Sequence, residues 1–194
     1  MVTQPAYLKN LKVYSKGYYR DDDEAYVAGL DMVGESDRGA IILSATNIED
    51  MLEFRILQQL PVLREDETAR KQIFEADGPI SSFSRKLLIA YGMGIVDKPY
   101  RKVIDLIREI RNACAHSRQP ISLAVPELRA ACEVVIGEDV LANLRDQEPV
   151  TIRNAYLIRG AFVAHYIATG EKLEGIEAHW AHWRKLQEEV KVPR

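Results

Sequence analysis

The sequence predicts an all-α fold, and three observations carry that prediction. Apolar residues recur at steps of three and four through almost every segment, the spacing that lines one face of an α-helix. Capping residues, glycines and prolines fall where these segments begin and end, as helix boundaries require. Strand-type alternation runs no further than VTIR at 150–153, so the pattern supplies nothing from which to build a sheet.

Each element follows from local chemistry. Ser36 and Asp37 are good N-cap types, and DRGAIILSATNIEDMLEFRILQQL after Ser36 spaces Ile41, Ala45, Ile48, Leu52 and Ile56 as one buried stripe. Glu49, Asp50 and Glu53 are expected to face solvent, and Pro61 ends the helix. REDETARKQIFEA, 64–76, reads as a short helix, followed by a turn at Asp77-Gly78-Pro79. SSFSRKLLIAYGMG, 81–94, reads as a helix stopped by Gly92 and Gly94.

Asp97 and Pro99 then provide a cap and a helix-starting proline. The helix that follows runs through YRKVIDLIREIRNACAHS, with Val103, Leu106, Ile107, Ile110 and Cys114 as its apolar positions. Pro120 and Pro126 bracket a loop, and PELRAACEVVIG forms a helix closed by Gly137. A long helix spans TIRNAYLIRGAFVAHYIA and stops at Thr169-Gly170. A last one, EKLEGIEAHWAHWRKLQEEV, places Leu173, Ile176, Trp180, Trp183 and Leu186 on one face.

Composition bounds the function classes. The 194 residues suit one sizeable core, so a single domain over 1–194 is expected, with 119–194 adding C-terminal helices. At 47% hydrophobic, 28% charged and a net charge of −3, the chain has no global basic coat. Any anion-binding surface must be local. The opening MVTQPAYLKNLKVYSKGYY has no continuous apolar core, and no uncharged run approaches bilayer length. A cytoplasmic protein without membrane contact is the expectation. Cys114 and Cys132 lie in apolar helical patterns without a CxxC spacing, which points to buried thiols rather than a disulfide or zinc site.

The densest polar chemistry is REIRNACAHSR at 108–118. Successive helical side chains turn by about 100°, so Asp105, Asn112 and His116 share the face opposite Ile110 and Cys114, with Arg111 at the rim beside Ile104 and Arg108. Arg111 and His116 then differ by about 140°, and one copy of a regular helix does not aim both at one point. From residue 98 to 118, the cations Lys98, Arg101, Lys102, Arg108, Arg111 and Arg118 face only Asp105 and Glu109, a local charge of +4. Phosphate is the natural partner of such a segment, whereas the wet side of an amphipathic helix accounts for the same charges without a ligand.

Arg111-Asn112-Ala113-Cys114-Ala115-His116 resembles the arginine, polar residue, spacer, histidine signature of the HEPN superfamily of small helical domains. DRGA at 37–40, IEDMLE in the same helix, FSRKLLIAYGMGIV and IREIRNACAHS together resemble the mannitol operon repressor (MltR) family over about residues 36–118. The resemblance implies an MltR-like, HEPN-like bundle forming a homodimer and acting as a non-enzymatic regulator, a transcriptional repressor working through a regulatory protein partner or through RNA or DNA. It also implies an alternative, a dimeric, metal-independent endoribonuclease. There His116 would act as general acid or base, Arg111 would hold the scissile phosphate, and Asn112 would orient either. The structural reading of the same residues is a capped helix end, where a histidine suits the negative end of the dipole.

Other candidates carry less. Arg159 and His165 repeat the spacing, but Gly160 stands where the signature has a polar residue. LLIAYGMGIVDKPYRKVIDLI can be drawn as a helix-turn-helix opened by Lys98, Arg101 and Lys102, with Pro99 where a base-reading side chain is wanted. His179 and His182 lack a second ligand pair, so no metal and no cofactor is expected. The glycines at 92 and 94 follow no strand and precede no phosphate-loop lysine. Tyr7, Tyr14, Tyr18 and Tyr19, interleaved with lysines, could stack on bases but read more plainly as a docking arm against the body of the protein or a second subunit, and RDDDE at 20–24 as a solvated helix start.

Overall fold

A computed structural model describes residues 32, 35–75, 77–138, 140–141 and 152–171. The expected final helix with its histidines and tryptophans, the N-terminal tyrosines and the 20–24 acidic run lie outside these residues. Among the described residues there are seven helices and no strand: α1 Asp37–Gln58, α2 Pro61–Glu65, α3 Glu67–Phe74, α4 Phe83–Gly92, α5 Lys98–His116, α6 Pro126–Ile136 and α7 Ile152–Thr169. The all-α expectation holds.

The central element is α1, which packs against α4, α5 and α7, while α6 closes against α5 and α7. Its start is where capping chemistry puts it: the Ser36 side chain accepts the Gly39 N–H at 3.1 Å. The expected stripe of Ile41, Ala45, Ile48, Leu52 and Ile56 is buried and forms the middle of the core. Because three helices surround α1, Ser44, Asn47 and Met51 are buried as well. The α1–α7 crossing is close. A Cβ at Gly160 would stand 2.3 Å from Ser44 Oγ, so with serine at 44 a side chain here forces the hydroxyl to move.

Three details differ from the sequence reading. The 64–76 segment is not one helix, because Asp66 ends α2 and then accepts the Ala69 N–H at 2.9 Å to start α3. Pro61 opens α2 instead of terminating α1 directly. On α5 the buried stripe is Ile104, Ile107, Ile110 and Cys114, with Val103 and Leu106 only partly buried. The stripe is therefore rotated toward Ile104.

The largest departure concerns Glu49, Asp50 and Glu53. They do not face open solvent but gather around Lys86 of α4, which is 6% exposed. Lys86 Nζ lies 2.7 Å from Glu53 Oε2 and 3.3 Å from Glu49 Oε1. Burial alone would push the ammonium down, but its hydrogen bond to Glu53 and the charges of Glu53 and Glu49 hold it above its ordinary value. Burial pushes the Asp50 carboxyl up to about 6; Lys86 draws it back in part, and Glu49 and Glu53 raise it. A lysine inside an apolar helix pattern thus recruits three carboxylates from its neighbour.

Between α4 and α5 the chain turns through a Schellman arrangement. Ile95 N–H donates to Ala90 O at 2.9 Å, Gly94 N–H donates to Tyr91 O at 3.1 Å, and Gly94 takes φ +73°. Asp97 then accepts the Tyr100 N–H at 3.0 Å and starts α5, with Pro99 in its first turn. Tyr166 of α7 fastens this corner. Its hydroxyl accepts the Asp97 N–H at 3.1 Å and its ring stacks on Tyr100 with centroids 3.7 Å apart.

Candidate functional site

The polar motif occupies the last turns of α5, and the helix stays regular to its end. Ser117 N–H donates to Ala113 O at 3.1 Å, as an unbroken α-helical turn requires. Arg38, in the first turn of α1, donates from Nη2 to Ala115 O at 3.1 Å and so satisfies a carbonyl that the helix leaves without a partner. Its neighbour Asp37 accepts the Leu123 N–H at 2.9 Å and lies 3.8 Å from Arg153 Nε of α7. Arg153 also donates to the carbonyls of Met32 and Glu35. The end of α5, the loop after it, α7 and the approach to α1 are thereby tied at the adjacent residues 37 and 38.

On this scaffold the motif side chains diverge. Arg111 is seven positions after Ile104 and so returns to nearly the same direction as the buried stripe. Its Nη1 donates to Asn112 Oδ1 at 3.1 Å, and its Nε is enclosed without a hydrogen-bond partner among the described residues. His116 is exposed at the end of the helix. With no distortion of the last turn, the imidazole and the guanidinium leave α5 about 140° apart. Within one chain they do not address a common point.

The six predicted cations also separate. Lys98, Arg101 and Lys102 stand at the start of α5, and Arg118 lies past its end, about 27 Å away along the axis. Arg108 pairs with Asp105 at 2.9 Å and with Glu109, which cancels its charge locally. Arg101 covers the Tyr91 ring at 4.5 Å from its centroid. Lys98, Lys102 and Arg118 are exposed, with no carboxylate partner among the described residues. Sequence counting saw one +4 segment; helix geometry divides it into two ends with a neutralised middle.

Beneath the motif, Cys114 and Cys132 are buried free thiols. Burial pushes Cys132 up to about 12 and raises Cys114 and the enclosed Tyr156 hydroxyl as well. These thiols pack and are not nucleophiles at neutral pH. Among the described residues no group of three or more histidine, cysteine, aspartate or glutamate side chains is placed to hold a metal ion, and no helix is long and apolar enough to cross a membrane.

Sequence reasoning missed Asp37 and Arg38 as structural anchors of the site. The local signal is DRGA, whose first two residues mark a helix cap in sequence but not their distant partners Leu123 and Ala115.

No protein-family model matches the chain, and no curated protein sequence matches it. Among solved structures, a chain in the X-ray structure of the MtlR–HPr complex from Escherichia coli is similar, with a TM-score of 0.56 and 16% sequence identity, covering 74% of this chain and 98% of that one. At that identity the likeness is one of fold: this chain has the helical architecture of an MtlR-type bundle.

Proposed function

We propose that this protein is a non-enzymatic regulator that works by docking a protein partner, with control of transcription as the process it serves and a homodimer as its working form. One observation carries the non-enzymatic part: Arg111 and His116 leave an undistorted helix in different directions, Arg111 folded onto Asn112 and His116 in solvent. Acid–base cleavage of RNA needs both within reach of one phosphate. The docking part is supported by the bundle's likeness to a protein crystallised with HPr, which makes HPr the first partner to titrate.

The alternative, a metal-independent endoribonuclease, is favoured by one feature. His116 is exposed at a helix end, where a second copy could bring its own motif beside it. The two readings part in a single experiment. The protein and a His116→Ala variant are incubated with mixed cellular RNA in EDTA, and HPr is titrated by calorimetry in parallel. The regulator reading expects RNA to stay intact with both proteins and HPr to bind both alike. Cleavage present in the wild type and lost only in the variant would replace it with the nuclease.

A further inference from the structure

Four of the seven exposed large apolar side chains among the described residues fall within the six positions 88–93. Helix α4 buries Phe83, Lys86, Leu87 and Ala90 against the bundle. On its outer side Leu88 is 55% exposed, with Tyr91 one turn later on the same face and Ile89 at its flank. Met93, 39% exposed, follows Ile89 by one turn and extends that flank past the helix end. Contiguous apolar surface of this kind marks a contact site more often than scattered exposure does.

On the α5 side of the ridge the charge has one sign. From Gly78 to Val96 the chain holds no acidic residue. The α5 corner beyond the ridge carries Lys98, Arg101 and Lys102, and Arg101 lies directly over Tyr91. Asp97 is the acid at this corner, and its carboxylate accepts the Tyr100 N–H in the first turn of α5. Lys86, on the inner side of the helix, is outnumbered by Glu49, Asp50 and Glu53 and adds no positive charge outward; those carboxylates lie on the α1 side, away from the α5 corner.

We infer that this ridge, Leu88, Ile89, Tyr91 and Met93 edged by Lys98, Arg101 and Lys102, is a docking surface for an acidic amphipathic helix of a partner protein, whose aliphatic side chains cover the ridge while its carboxylates meet the lysines. Charge complementarity selects this occupant. A second copy docked through the same face would set cations against cations, which costs rather than gains. A nucleic-acid backbone would satisfy the lysines and leave Leu88, Ile89 and Met93 in water. A bilayer is a poor match because α4 is fixed along its inner face and cannot sink about 5–10 Å, as interfacial helices do. Helix-on-surface recognition needs only anchors at three- and four-residue spacing and a charged border, and both are present.

The assignment rests on the reading of the chain as a partner-docking module, and its test is separate from HPr titration. The probes for fluorescence anisotropy are a helical peptide with a leucine stripe and glutamates elsewhere, its lysine counterpart, a DNA duplex, and vesicles of phosphatidylglycerol with phosphatidylcholine. The wild-type chain is expected to prefer the glutamate peptide over the lysine peptide by about tenfold, and Leu88→Ser to weaken it several-fold. The Lys98→Glu/Lys102→Glu double variant is expected to reverse the preference. Because all three side chains are exposed, thermal unfolding should match the wild type and exclude misfolding as the cause. Equal binding of both peptides, indifference to Leu88→Ser, or a stronger response to the duplex or vesicles would overturn the inference. Loss of the peptide preference with HPr binding intact removes the ridge alone; peptide preference without HPr binding removes HPr as partner and leaves the ridge.

Discussion

Replacing Lys86 by methionine tests whether the buried charge cluster holds α4 to α1. The stem length is kept, so packing changes little, and the effect falls on Glu49, Asp50 and Glu53. Each glutamate side chain is 17% exposed and loses a cation at 2.7 or 3.3 Å. Removing one partner of a buried pair costs about 3–5 kcal/mol, and residual solvent contact trims this to about 2–3 kcal/mol near neutral pH. The loss should depend on acidity. Asp50 already titrates at about 6, above its ordinary value of 3.8. A folded-state value raised in this way means that protonation favours the native state, so Asp50 opposes folding above about pH 6 and progressively less below it. Without Lys86, which draws it down, Asp50 shifts further upward, takes up its proton sooner and is relieved of its repulsion with the two glutamates. Urea unfolding followed by circular dichroism should show the deficit of Lys86→Met shrinking to about 1 kcal/mol between about pH 7.5 and pH 5. A variant within about 0.5 kcal/mol of the wild type at pH 7.5, or a deficit that does not change with pH, would refute the reasoning.

Three further outcomes are expected. Asp50→Asn should stabilise the wild-type background by about 1 kcal/mol at pH 7.5 and flatten the gain otherwise seen on acidification, read in the same urea series. Gly160→Ala should lower stability by about 2 kcal/mol, because its methyl meets Ser44 Oγ at 2.3 Å; adding Ser44→Ala should restore much of it, since the Ser44 Cβ is an ordinary 3.7 Å away. Arg38→Ala should cost about 1–2 kcal/mol and speed amide exchange in the last turn of α5, where Ala115 O loses its donor.

The legible parts of this protein are those in which cause and effect are close in sequence. Ser36, Ser82 and Asp97 sit immediately before the helices they cap, and Gly94 beside the turn that needs its positive φ. The α1 stripe follows the same rule, with its period visible over five residues. The illegible parts depend on partners far along the chain. Nothing near Arg38 announces Ala115, 77 residues away. Glu49, Asp50 and Glu53 look like a solvated helix face until Lys86 is brought beside them. The motif shows both sides: the divergence of Arg111 from His116 follows from helical spacing alone, whereas the bond to Asn112 and the enclosure of Nε come from packing. The cations between 98 and 118 were countable, but their division into two ends depends on Arg108 choosing Asp105 and Glu109.

Residues 37 and 38 also govern how this end of the bundle can come apart. One grips the loop at Leu123 and approaches Arg153, the other the terminal carbonyl at Ala115. Withdrawing the first turn of α1 releases both together, so the tip that presents His116 behaves as a keystone joint, opening in one concerted event rather than fraying strand by strand of contact. A displacement of that joint therefore removes contacts to α5, to the loop after it and to α7 in one step.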